Sequence, residues 1–234
     1  MISPELYQKR YDLLLSVMDE QEVACTVVCN SPNLFYMTGY KPKKDERLQI
    51  AFFPRAAEPV MIVPAIYHIN AESDCAIADL RVWSDGDDLV ALVRGVLEEK
   101  KLVGASLAID DMFEFRQLQP IRLASPDSQL VLGSGMFTPL RMRKSPEELE
   151  AMAESGALSD EAVGMIIDKL LSGQSEAELK NWIEFELLNR GMVYGFSNLI
   201  ACGVNTNAPH HVSGPRVPKM RDAVSLDSGG ALKH

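Results

Sequence analysis

The sequence predicts an α/β protein, and three observations carry the prediction. Short apolar runs alternate with segments whose apolar residues recur at helical spacing. Serine–proline caps and isolated glycines punctuate the helical segments. A composition of 47% hydrophobic and 24% charged residues over 234 positions fits a chain that buries a substantial core.

Ser3-Pro4 supplies an N-cap and a first-turn proline, and Leu6, Tyr7, Tyr11, Leu14, Leu15 and Met18 follow on one helical face. Val23–Cys29, Leu48–Phe53 and Val60–Val63 read as strands, because they are short, apolar and rich in β-branched or aromatic residues. A helix is expected around Tyr67–Ser73, another over Asp87–Glu99, a strand over Ser106–Ile109, a short helix over Met112–Leu118 and a last strand over Leu130–Leu132. This alternation predicts a first domain over residues 1–135. Gly133, Gly135, Pro139 and the cluster Arg141, Arg143, Lys144 then interrupt the pattern, and a second domain is expected over residues 140–234.

That second domain opens with two capping boxes, Ser145-Pro-Glu-Glu148 and Ser175-Glu-Ala-Glu178, each heading a helix. The first helix carries Leu149, Met152, Met165 and Ile166 and tolerates Gly156 and Gly164, with Gly173 as its stop. The second carries Leu179, Trp182 and Ile183 and stops at Gly191. Both apolar faces are expected to cover a sheet. Ser197–Cys202 reads as a strand, residues 203–219 as a polar loop and Ala223–Asp227 as a closing strand.

A formal charge of −10 repels phosphate backbones, so nucleic acid is not an expected partner. Charges at Glu5, Lys9, Arg10, Asp12, Asp19 and Glu20 break any apolar leader, no run approaches the ~20 apolar residues of a membrane span, and a cytoplasmic location is expected. Cys25 and Cys29 lie in a strand-like run without partners at zinc spacing, and read as buried free thiols.

Phosphate-cradling glycine loops are absent, and Gly195-Phe-Ser-Asn-Leu199 lacks the final glycine of a nucleophile elbow. Cys202 and His210 are types that can pair as nucleophile and base, but a cysteine between alanine and glycine at a strand end reads as a packed thiol. His210-His211 follow Pro209 in a loop of small polar residues, where an imidazole is either an ordinary surface group or a stiffly held proton carrier. Asp227 alternates with Leu226 and Val224, so it points away from their face at the end of a strand. There it serves either as a turn aspartate or as a hard oxygen ligand for a divalent ion, and one carboxylate alone makes no metal site.

Taken in order, Gly195-Phe-Ser-Asn-Leu-Ile-Ala-Cys-Gly203, Ala208-Pro-His-His211 and Asp222-Ala-Val-Ser-Leu-Asp-Ser-Gly229 resemble the core of the pita-bread metallopeptidases: Xaa-Pro aminopeptidases, Xaa-Pro dipeptidases and creatinase. Ser31-Pro-Asn-Leu-Phe-Tyr-Met-Thr-Gly-Tyr40 resembles their creatinase-type N-terminal α/β domain, and Leu140–Leu149 resembles the entry into their α+β catalytic domain. The resemblance implies hydrolysis of peptide bonds next to proline, a homodimer, and two divalent ions (Mn, Co or Zn) sharing a hydroxide. It implies that Asp227 is a metal ligand, that His210 is catalytic through the tetrahedral intermediate, and that His211 binds substrate. The other ligands, an aspartate, a histidine and two glutamates, would fall after His234. The chain is therefore expected to be the front portion of a longer protein, inactive alone and without tightly bound metal. One departure is Arg221, which stands at a turn position where the family usually has glycine. Two other functions stay open: a metal-free creatinase-type C–N hydrolase and a non-catalytic binding module.

Overall fold

A computed structural model describes residues 3–193 and 195–232. The chain divides into two compact units between Arg143 and Lys144.

The first unit is built on six strands: β1 (Cys25–Val28), β2 (Ile50–Pro54), β3 (Val60–Pro64), β4 (Asp79–Trp83), β5 (Ser106–Ile109) and β6 (Gln129–Leu132), in the order β4-β3-β2-β1-β5-β6. β2 runs antiparallel to both of its neighbours and the other pairings are parallel. The carboxyl ends of β1, β3, β4, β5 and β6 therefore share one edge.

Strand alternation divides the core into two layers. Val28, Phe53, Met61 and Val63 pack with side chains of α1 (Pro4–Glu20), α2 (Pro32–Thr38), α3 (His68–Asp74) and α6 (Ser134–Met142). Val27, Phe52, Ile62 and Leu107 face α4 (Leu89–Glu99) and α5 (Phe115–Ala124). Cys25 and Cys29 are buried free thiols, and burial pushes both above the ordinary thiol range.

Four elements differ from the sequence reading. α2 has no counterpart among the expected elements, being only seven residues long, although Ser31 caps it and Gly39 closes it at φ 76°. β4 has none because Asp79-Leu-Arg-Val-Trp83 is an edge strand whose Arg81 pairs with Asp79 and Glu99, which masks the apolar signal. α5 begins at Phe115 rather than Met112 because Asp110 accepts the Met112 N–H and holds a turn there. α6 occupies the expected break. Pro139 sits inside it, and the Gly135 carbonyl that Pro139 cannot serve accepts a hydrogen bond from Gln21 Nε2 at 3.1 Å. A Cβ on Gly133 would lie 2.6 Å from the Ile109 carbonyl, so that glycine permits close packing instead of ending the domain.

In the second unit both capping boxes form, heading α7 (Pro146–Lys169) and α8 (Glu176–Asn189). β7 (Leu199–Cys202) and β8 (Val224–Asp227) pair antiparallel, and Ala162, Ile166, Leu179, Ile183, Leu187 and Ile200 make the core. The expected apolar stripe on α7 does not form along its whole length: Leu149 and Met152 are each 56% exposed, and the first buried residue of the helix is Ala162, about three turns after Met152. No described helix is long and apolar enough to cross a membrane.

Candidate functional site

β7 delivers the chain into a loop that returns to β8, and this loop carries both histidines. Cys202 pairs with Val224 where the loop leaves, and Leu199 pairs with Asp227 at the other end of the ladder. Three registers separate the two ends, roughly 10 Å along the strand. Val224 and Leu226 are half-buried while Ser225 and Asp227 are exposed, which is the alternation expected for a carboxylate offered at a strand end. Beyond it, the Gly229 N–H donates to Oδ1 of the buried Asn198 at 2.9 Å and fixes the exit from β8.

The loop is fastened to the start of α8, and the fastening group is Glu176. Its side chain is fully buried. Oε1 accepts from the Cys202 N–H (2.7 Å) and Asn205 Nδ2 (3.0 Å), while Oε2 accepts from the Gly214 N–H (3.1 Å) and lies 2.8 Å from His211 Nε2. Main-chain bonds add to this: the Glu176 N–H donates to the Arg216 carbonyl and the Ala177 N–H to the Gly214 carbonyl, which satisfies open donors of the first helical turn. Ser213 Oγ meets both the N–H and the carbonyl of Ile200 at 2.9 Å, closing the free edge of β7.

Burial alone would raise the Glu176 carboxyl, but donors from Asn205, His211, Cys202 and Gly214 outweigh it and hold the group at about 2. Its charge then acts on Cys202. Burial first and the Glu176 carboxylate second push that thiol up to about 11, so Cys202 is a packed thiol and no thiolate nucleophile.

Histidine 210 is exposed at the loop, in a turn closed by the His211 N–H on the Ala208 carbonyl at 3.0 Å. His211 is the half-buried partner of Glu176. The structure thus orients His211 and presents His210. It brings His211 to Glu176, and shows no bond between either histidine and Asp227. Among the described residues, no three His, Cys, Asp or Glu side chains converge as a metal centre. These residues accordingly do not fit a dinuclear metal by themselves, and Asp227 stands as a single hard oxygen donor. Calorimetry on the 234-residue chain is expected to show no stoichiometric Mn²⁺, Co²⁺ or Zn²⁺ site at about 1 μM or tighter. Such a site would mean the ligands lie elsewhere.

Glu176 escaped the sequence reading because a glutamate in the first turn of a capped helix is an ordinary dipole partner, and only Glu178 completes the capping box. Two backbone positions also shape the loop. Gly203 sits at φ 54°, and a Cβ there would fall 2.2 Å from Arg216 Nη2, which reaches Asp222 at 3.3 Å. Arg221 adopts φ 73°, the left-handed conformation that glycine takes without strain. Arg221→Gly is therefore expected to stabilise the chain by roughly 0.5–1 kcal/mol, read as a higher urea midpoint, since relief of Cβ strain outweighs added chain entropy. A lower midpoint would show that the turn carries no such strain.

Residues 10–143 match the Creatinase/Prolidase N-terminal domain, and residues 150–234 match Metallopeptidase family M24. The chain is 27% identical over 231 residues to the probable dipeptidase PepE of Mycobacterium tuberculosis, covering 97% of this chain and 60% of that protein. It is 19% identical over 228 residues to the Xaa-Pro dipeptidase of Pyrococcus furiosus, covering 97% and 62%. Among solved structures, a prolidase from Thermococcus sibiricus superposes with a TM-score of 0.88 at 24% identity, over 97% of this chain and 62% of the other. Dipeptidase PepE from Mycobacterium ulcerans gives 0.87 at 23% identity, over 99% and 62%.

Proposed function

The chain belongs to the Creatinase/Prolidase N-terminal domain family, followed by a Metallopeptidase family M24 segment, and from that membership we propose that it serves a metallopeptidase cleaving bonds next to proline. The chain spans about 60% of the length of the PepE relatives it matches, and the activity is proposed for the whole protein. The observation that carries the reading is the loop fastened by Glu176, which holds His211 and leaves His210 free to meet a ligand.

In this reading His210 carries a hydrogen bond or a proton to the oxygen of the scissile carbonyl, a role suited to an imidazole on a loop stiffened by Pro209. His211 stays on Glu176 and presents its remaining edge to the peptide. In the whole protein Asp227 would offer one carboxylate toward divalent ions (Mn, Co or Zn), which would supply Lewis-acid chemistry there; the described residues provide no other ligands for them. The first unit mediates a homodimer.

The test joins this chain to the remaining M24 segment of a PepE relative and assays Xaa-Pro dipeptides against Xaa-Ala dipeptides with added divalent ions. Metal-dependent hydrolysis favouring proline supports the reading. Hydrolysis of neither, in a fusion that folds and binds metal, refutes it.

A further inference from the structure

The first unit contains a cavity of about 200 Å³ that the loop of the second unit does not explain. It lies where Leu48 leads into β2, Trp83 ends β4, Leu89 opens α4 and Arg116 and Gln117 stand in the first turn of α5. These points belong to the edge where the parallel strands end, which is where open α/β sheets bind their ligands. The apolar wall is preformed. Trp83 is 6% exposed, and its indole N–H donates to the Leu48 carbonyl at 3.0 Å, which fixes the ring.

The polar groups point to an occupant. Gln117 is 5% exposed and lines the cavity, yet its side-chain amide makes no hydrogen bond to any described residue. Its amide oxygen and nitrogen keep solvent contact through the cavity, so they offer one acceptor and one donor group to a polar occupant. Arg116 beside it forms no ion pair among the described residues, and α5 has no side-chain N-cap, so its N-terminal end also favours an anion. Glu46, also on the lining, is exposed and reaches only Arg47 at 3.8 Å. Arg47 itself is held bidentately by Asp85 at 3.2 and 2.7 Å. The lining thus leaves one uncommitted cation and one weakly committed carboxylate around an apolar wall.

We propose that this cavity binds a free amino acid with a compact apolar side chain. Its carboxylate meets Arg116, the Gln117 amide and the start of α5, its ammonium meets Glu46, and its side chain lies on Trp83 and Leu48. The site is independent of the peptidase reading, because every residue belongs to the first unit and the test needs no activity.

Calorimetry on the 234-residue chain uses L-valine, L-leucine and L-phenylalanine in turn, with 4-methylpentanoate and L-leucinamide as analogues that lack the ammonium or the carboxylate. At least one amino acid is expected to bind 1:1 at about 1 mM or tighter, with each analogue at least about tenfold weaker than L-leucine. Arg116→Ala, an exposed position that leaves the fold intact, and Gln117→Leu are each expected to weaken binding about tenfold. Absence of saturable binding by all three amino acids overturns the proposal. So does binding of either analogue as tight as L-leucine, or binding unchanged in Arg116→Ala.

Discussion

Asp227→Ala is expected to abolish divalent-metal-dependent cleavage of Xaa-Pro dipeptides in a protein that joins this chain to a complete M24 ligand set. The carboxylate lies exposed at the end of β8, on the opposite face from Val224 and Leu226, so removing it leaves the apolar contacts of the strand untouched. A loss of activity with unchanged unfolding therefore reports a lost ligand and not a lost fold. Metal content, measured by elemental analysis after gel filtration, should fall with the activity. His210→Ala should behave differently. Its side chain is exposed and holds no core contact, so metal content should persist while kcat falls by ~10²–10³-fold, the loss typical of one oxyanion or proton-transfer partner. Undiminished kcat in His210→Ala would remove that imidazole from the mechanism, and retained metal and activity in Asp227→Ala would remove the carboxylate.

Glu176→Ala is expected to be the most destabilising single substitution in the second unit. It strips the acceptor from the Cys202 and Gly214 N–H groups, Asn205 and His211 together, and leaves buried donors unmatched. The carboxyl stands at about 2 in place of its ordinary 4.5, which corresponds to about 3 kcal/mol of stability. Because the folded value is the lower one, that stability is complete above pH 4.5 and is lost as the pH falls toward 2. Urea unfolding across this window should show a steep loss in the parent chain and a much shallower one in Glu176→Gln, which keeps the shape and loses the titration. Parallel profiles would show that Glu176 carries no such linkage. The same substitution frees the loop bearing His210, so in the completed protein Glu176→Gln should lower kcat without changing the side chains offered to substrate.

Much of the fold is legible locally. The serine–proline caps of α1 and α7 and the capping boxes of α7 and α8 each state a helix start within four residues, and the runs around β1, β2, β3 and β5 are apolar enough to admit no other element. Legibility failed where a distant residue decided the outcome. α6 survives Pro139 because Gln21 serves the carbonyl that the proline leaves open, and no window around residue 139 contains Gln21. β4 is held by Arg81 bonded to Glu99 on α4, a pairing that looks like scattered charge in the sequence. Leu149 and Met152 share the helical spacing of the buried residues, and only the place where α8 crosses α7 leaves them in solvent.

The sequence by itself determined the α/β class, both capped helices of the second unit, the packed state of Cys202, and the succession of motifs that marks His210, His211 and Asp227. The first three are properties of residue type and short spacing, which short-range physics is enough to state, whereas the two histidines and Asp227 are marked by resemblance to a family. The tertiary structure alone decided what holds the loop. Glu176 gathers donors from residues 202, 205, 211 and 214, all more than twenty positions away, and it does so only because α8 and β7 meet in one core. It also decided that the start of α5 lies beside Trp83, which is how Gln117 comes to face a cavity. A buried carboxylate or amide takes its meaning from the donors and walls that folding brings to it, and no residue near it in the chain records which ones those will be.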